Sequence, residues 1–140
     1  MNRKRGITLV EALVSVAVIG LVVVMNLQLF IASARNNNKA EKLIESTYIG
    51  KNTIEMIYGL SKRVKFEDVK DELINKGYTE VSKNKYGMEC EHGTRYTEIT
   101  LEEYNGLIRV KIKVYGDLNK NVLDVQYESL YPWLEEAGGQ

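Results

Sequence analysis

The chain has one cysteine, one histidine and one proline in 140 residues, and no excess charge of either sign. A lone Cys90 cannot close an internal disulfide. The fold is expected to rest on its core alone, the alternative being a bond from Cys90 to another chain. A formal net charge of zero offers no electrostatic footprint for a polyanion, so no direct nucleic-acid binding is expected. Cys90 and His92 lie two apart in Cys-Glu-His, which would put thiol and imidazole on one side of an extended segment. That pair could serve as nucleophile and base or as two metal ligands. Two ligands do not close a site, and a polar loop with an incidental thiol is the simpler account. No phosphate-binding glycine loop, metal-ligand cluster or His-Glu-x-x-His helix is visible. Asp117, Asn119, Asn121 and Asp124 lack the carboxylate run and bidentate Glu of a calcium loop, and a turn explains them. Catalytic residues, metals and cofactors are all expected to be none.

What the chain does possess is an apolar N-terminus. After Arg3, Lys4, Arg5 and Gly6, residues 7–31 hold Glu11, Ser15, Gly20, Asn26 and Gln28 but no Lys or Arg. As a helix this run reaches roughly 37 Å, enough to cross a hydrocarbon core of about 30 Å. The basic cluster at 3–5 directs the N-terminus to the cytoplasmic side. Eight of the nine tyrosines lie beyond residue 50, so lipid comes first along the chain and water second. A secretory signal would fit Ala32-Ser33-Ala34 as a small-x-small cleavage site, but the apolar run far exceeds the usual 7–15 residues. A plain signal anchor is the other simple account. Neither gives Glu11 a role, and an ionisable residue inside an apolar span calls for a function and a partner.

A third reading supplies one. Gly6 followed by Ile-Thr-Leu-Val-Glu and then Ala-Leu-Val-Ser-Val-Ala-Val-Ile-Gly closely resembles the class III signal of type IV pilins and pseudopilins. The resemblance implies cleavage after Gly6 by a prepilin peptidase and methylation of the new N-terminus at Ile7. It implies an assembly role for Glu11, which would neutralise the N-terminal amine of a neighbouring subunit, and helix loosening at Gly20. Ile7 stands where most members have Phe, and Gln28 where many have Pro. Loss of Arg3, Lys4 and Arg5 would leave 16 basic against 19 acidic residues, a net charge of −3. The implied partners are the peptidase, other pilin subunits, the inner assembly platform and membrane lipid. The implied protein is a minor pilin in a surface filament, serving pilus initiation, adhesion, motility, DNA uptake or protein secretion. Asn-Thr-Ile-Glu-Met-Ile at 52–57 resembles the helix end of PilV-type minor pilins and matching pseudopilins. A membrane-anchored binding domain that never assembles is the rival from another class.

The expected domain order is a leader at 1–6, a transmembrane and assembly helix at 7–34, a globular domain at 35–134 and a loose tail at 135–140. The helix is expected to run over residues 8–60, with a possible bend at Asn36-Asn37-Asn38. Beyond that run Ala40, Leu43, Ile44, Thr47, Tyr48, Ile54, Ile57 and Tyr58 form an apolar stripe at helical spacing. Gly50 weakens the helix locally and Gly59 lies near its end. A second helix over 66–76 would bury Val69, Leu73 and Ile74, with Gly77 as a left-handed C-cap. A short strand at 78–84, with Tyr78 and Val81 as contacts, leads to a polar loop at 84–94. Period-two alternation then predicts strands on both sides of Asn105-Gly106, the preferred pair for a type I′ turn. Glu98, Glu102 and Glu103 would face Arg109, Lys111 and Lys113. A further strand covers 122–130, and Tyr131-Pro132-Trp133-Leu134 closes the sheet. The fold class is α+β: a long N-terminal helix, part transmembrane and part amphipathic, on a small antiparallel sheet of three or four strands. Tyr115, Tyr127, Tyr131 and Trp133 are read as sheet core rather than as an adhesive patch.

Overall fold

Alternation in the last third of the chain does build an antiparallel sheet, but with five strands. The computed structural model describes residues 8–90 and 94–133, so Gly6, Ile7, His92, Leu134 and the tail at 135–140 lie outside the described residues. The elements are α1 (Leu9–Ser61), a 3₁₀ turn (Phe66–Asp68), α2 (Val69–Asn75), β1 (Thr79–Ser82), β2 (Lys85–Glu89), β3 (Tyr96–Tyr104), β4 (Leu107–Tyr115) and β5 (Leu123–Tyr131). The strands lie in sequence order, each antiparallel to the next. The chain divides into two compact units, Met1–Ala40 and Glu41–Gln140. In the first unit, every described residue is helical from Leu9 onward and exposed.

In the second unit, α1 packs on the sheet through a stripe that keeps Ile57 and partly buried Ile54 of the expected one but is otherwise shifted. Ser46, Gly50, Thr53, Ile57, Leu60 and Ser61 are buried, whereas Leu43, Ile44, Tyr48 and Tyr58 are exposed. Small residues win the inward positions because they let the helix backbone approach the strands. Gly50 is the extreme case: a Cβ there would lie 2.5 and 2.8 Å from ring carbons of Tyr127. The glycine is thus a contact point as well as a weak helix former. The Tyr127 hydroxyl donates to the Thr47 carbonyl at 3.3 Å, which fixes the ring in place. Asn36, Asn37 and Asn38 leave α1 helical, as solvated Asn costs only part of a kcal/mol in a helix, about 0.7 at most.

Alternating β4 residues Ile108, Val110, Ile112 and Val114 form the centre of the core, with Ile99 and Leu101 from β3 beside them. Asn105 and Gly106 carry φ of 51° and 77°, as a type I′ turn requires. The Tyr104–Leu107 pairing places them as the two-residue loop of the β3–β4 hairpin. The predicted loop at 84–94 instead contains β2. Gly87 disguised it: the Tyr96 ring covers this glycine across the β2–β3 pair, and a side chain there would collide with it. Tyr86 is buried beside it, whereas Val81 of β1 is exposed. α2 buries Val69 and Leu73 but exposes Ile74. Gly77, at φ 93°, caps it as expected. The Gly77 N–H donates to the Ile74 carbonyl and the Tyr78 N–H to that of Leu73, a Schellman pair.

Trp133 is buried, donates to the Val64 carbonyl at 2.8 Å and meets Phe66 edge-on. Tyr127 and Tyr131 pack against the core, the latter 5.3 Å from the Tyr58 ring. Of the expected ion pairs, Glu102 meets Arg109 at 3.9 Å. Glu103 lies opposite Ile108, on the wrong face for the bases. Arg109 also meets Glu128 of β5, and Lys111 pairs with that same Glu128.

A Gly50→Ala substitution should lower stability by about 1–3 kcal/mol, despite Ala's higher helix propensity, because the pinned Tyr127 ring has to move. Thermal unfolding of the detergent-solubilised chain reads this, and an unchanged midpoint would contradict the packing. A second expectation concerns alkali. Burial raises the hydroxyls of Tyr78, Tyr86 and Tyr115 above the ordinary 10.0. A group raised on folding stabilises fully below its unfolded value and loses that contribution as pH passes its folded one. Stability should therefore hold to about pH 10 and fall beyond it, with part of the tyrosinate absorbance appearing only on unfolding.

Candidate functional site

Thr8 and Glu11 set the start of α1. The Thr8 side-chain oxygen accepts the Glu11 backbone N–H at 3.3 Å, and the Thr8 carbonyl accepts the Ala12 N–H at 3.0 Å. Thr8 is therefore the N-cap and Glu11 the third helical residue, the spacing of a capping box. That spacing is legible in Thr-Leu-Val-Glu, yet the membrane reading of Glu11 overlooked it. First-turn N–H groups carry partial positive charge, which favours a carboxylate there by about 0.3–1 kcal/mol. The Glu11 side chain is exposed and has no ion-pair partner among the described residues. It is an anion held at a positive helix end, with its outward side open.

Around it, α1 presents apolar surface in every direction. Leu9, Val16, Leu29 and Phe30 are each more than two-thirds exposed, and the others of this run are not covered either. The helix is long and apolar enough to cross a membrane. Ser15 and Asn26 return their polar side-chain groups to the Glu11 and Val22 carbonyls at 2.7 Å each, so neither needs water. Gly20 has no atom within 4 Å of a built Cβ, so nothing in the chain itself requires glycine there. The processing residues Gly6 and Ile7 lie outside the described residues.

The other candidates resolve into structural contacts. Both Asp117 carboxylate oxygens are taken by Asn121 and Val122 N–H groups and the Asn121 amide, at 2.9–3.2 Å. Asp124 accepts the Ser46 hydroxyl at 2.6 Å instead of turning towards that loop. Among the described residues no three His, Cys, Asp or Glu side chains converge. Cys90 lies 3.5 Å from the Thr97 hydroxyl and lines a groove of about 640 Å³ between α1 and the β2 end.

Two polar clusters escaped the sequence reading altogether. Buried Arg95 donates to the Ser46 hydroxyl at 3.0 Å and to the Lys42 carbonyl at 3.3 Å, and pairs with Glu45 at 2.8 Å. With Asp124 it ties β3 and β5 to the same turn of α1. On the opposite sheet face, buried Glu98 receives Lys85 at 3.1 Å and Lys120 at 3.4 Å. Burial pulls the Lys120 ammonium down, but the Tyr96 ring beneath it and Glu98 outweigh that and leave it raised. No local pattern announces either cluster, because the partners come from elements far apart in sequence.

Residues 1–25 match the family model described as the prokaryotic N-terminal methylation motif. The matched stretch is a type IV pilin-like prepilin signal, and it points to a structural subunit rather than an enzyme. No curated protein and no solved structure matches the chain.

Replacing Thr8 with Ala should remove the cap and cost the helix start about 0.5–2 kcal/mol. Amide exchange in detergent should quicken at Glu11 and its neighbours and stay unchanged beyond the second turn. Gly20→Ala should do the reverse, gaining about 1 kcal/mol of helix propensity, since the added methyl meets nothing in the chain.

Proposed function

We propose, from the prepilin signal at residues 1–25, that the chain is a minor type IV pilin-like subunit. It is cleaved after Gly6, methylated on Ile7, and drawn through its N-terminal helix into or to the tip of a surface filament. The supporting observation is the pairing of that signal with an apolar helix that finds no cover in its own unit. Before assembly lipid covers the helix, and after assembly sister helices do. Cleavage leaves a positive amine four residues ahead of Glu11, and a charge in low dielectric is costly unless paired. The Glu11 carboxylate of a neighbouring subunit answers it. At an effective dielectric near 20, a unit pair at 4 Å attracts by roughly 4 kcal/mol, sufficient to select one axial register among neighbouring helices.

The chain enters the membrane with its N-terminus cytoplasmic and displays residues beyond 40 outside. A pseudopilin of a secretion or DNA-uptake machine would use the same residues in the same way and differ only in the machine served.

Mass spectrometry of the mature N-terminus is the direct test. A methylated Ile7 is expected, while a start at Arg35 or an intact Met1 overturns the reading. Glu11→Val should insert into the membrane normally and fall at least about ten-fold in sheared filaments. Equal incorporation would remove the assembly role of the carboxylate.

A further inference from the structure

Every sulfur atom of the second unit lines one groove. The chain has four methionines and one cysteine. Met1 and Met25 belong to the first unit, whereas Met56, Met88 and Cys90 all face the groove of about 640 Å³ between α1 and the β2 end.

Strand register brings two of them there. Met88 lies opposite Thr97, and the Cys90 N–H continues the ladder to the Arg95 carbonyl. Residues two apart on a strand share a face. This face is turned to α1, because Tyr86 and Ile99 on it are core and Arg95 on it reaches Ser46. From the helix side, Ile49, Thr53 and Met56 follow at steps of four and three residues, along one flank of α1. The Met88 sulfur is 3.8 Å from where a Cβ on Gly77 would lie. Buried Tyr78, the next residue, interacts with both Thr53 and Cys90. Helix, strand and the α2 cap thus gather the three sulfur-bearing side chains about Gly77-Tyr78. Both methionines are only partly buried, and so is Cys90, so none of the three is sealed from solvent.

We propose that Met56, Met88 and Cys90 together bind one soft monovalent metal ion, of the copper(I) and silver(I) class. Thiolate and thioether donors select such ions. Methionine is unbranched, so the two thioethers can adjust to the ion without backbone movement. The fully buried Thr97 hydroxyl, 3.5 Å from the Cys90 sulfur, donates to the thiolate and orients it. Hard ions find little here. Glu45 is taken by Arg95 at 2.8 Å, and Glu89 is the other carboxylate of the wall, too few oxygens for calcium. On binding, the Cys90 S–H bond breaks, its electron pair goes to the metal and its proton goes to water. One proton is released per ion, the metal–thiolate unit is neutral, and no electron is transferred. The bound ion ties α1 to β2 and so stabilises the unit. This site goes beyond the filament reading and needs only the folded second unit.

The test uses the full-length chain in detergent. Copper(I) is titrated anaerobically against the chromophoric chelator bicinchoninate, and silver(I) is counted by native mass spectrometry. One ion per chain is expected, with a raised thermal midpoint and Cys90 protected from maleimide. Cys90→Ser should abolish retention. Met56→Leu and Met88→Leu keep the side-chain volume and should each weaken binding at least about ten-fold, with their metal-free midpoints as the check on folding. X-ray absorption of the copper-loaded native chain, which needs no variant, should show three sulfur neighbours. Retention that depends on Cys90 but survives both methionine changes would mean an incidental thiolate and overturn the proposal. Half an ion per chain, shared between two Cys90 thiolates, would overturn it too, as would zinc(II) held as tightly as copper(I). None of these outcomes touches the filament reading, which the mature N-terminus decides.

Discussion

An apolar helix with nothing in its own unit to bury against is the constraint on which the rest of this protein depends. Burying one large aliphatic side chain is worth about 1.5–3 kcal/mol, and the first unit leaves more than a dozen exposed. No folded state of this chain alone satisfies that surface. The helix is long and apolar enough to cross a membrane, and the motif at its start fits a membrane-anchored pilin. Glu11 gains its meaning from the same constraint. A carboxylate at the helix start is locally favoured by the backbone, and its side chain stays exposed.

The second unit meets a different demand. It gives the same helix an aqueous continuation by replacing large apolar side chains with small ones on the inward face. Ser46, Gly50 and Thr53 let α1 approach the sheet, and larger side chains supplied by Tyr127, Val114 and the β3 core fill the space. Arg95 secures the lower end of this contact and Trp133 the upper, each by hydrogen bonds to α1 or to the segment that follows it. Polar fixation at the ends and apolar packing between them divide the work.

The exposed surface that remains is uneven. β1 is short, irregular beside Ser82 and bound to α2 by the 2.6 Å Lys70–Glu80 pair, so that sheet edge is protected. The opposite flank ends in a fixed loop with aliphatic tips, and the α1–β2 flank in an adaptable groove.

Local chemistry made much of this legible in advance. A period-two run on each side of Asn-Gly determines a hairpin and its turn type, since only certain residues tolerate φ above zero. Gly77 marked a helix end for the same reason. The charge, glycine, carboxylate and apolar length at the N-terminus determined a processing signal, because each feature acts within a few residues of the next. Tertiary structure decided the rest, wherever a residue's role depends on what faces it. Gly50 and Gly87 look like breaks in one dimension and are contact points in three, because two tyrosine rings need their space. Leu43, Ile44 and Tyr48 look like core and are not, because the sheet needed a close helix and took the small-residue face. Arg95, Ser46 and Asp124 carry no joint signature in sequence. Only the fold brings them within hydrogen-bond distance.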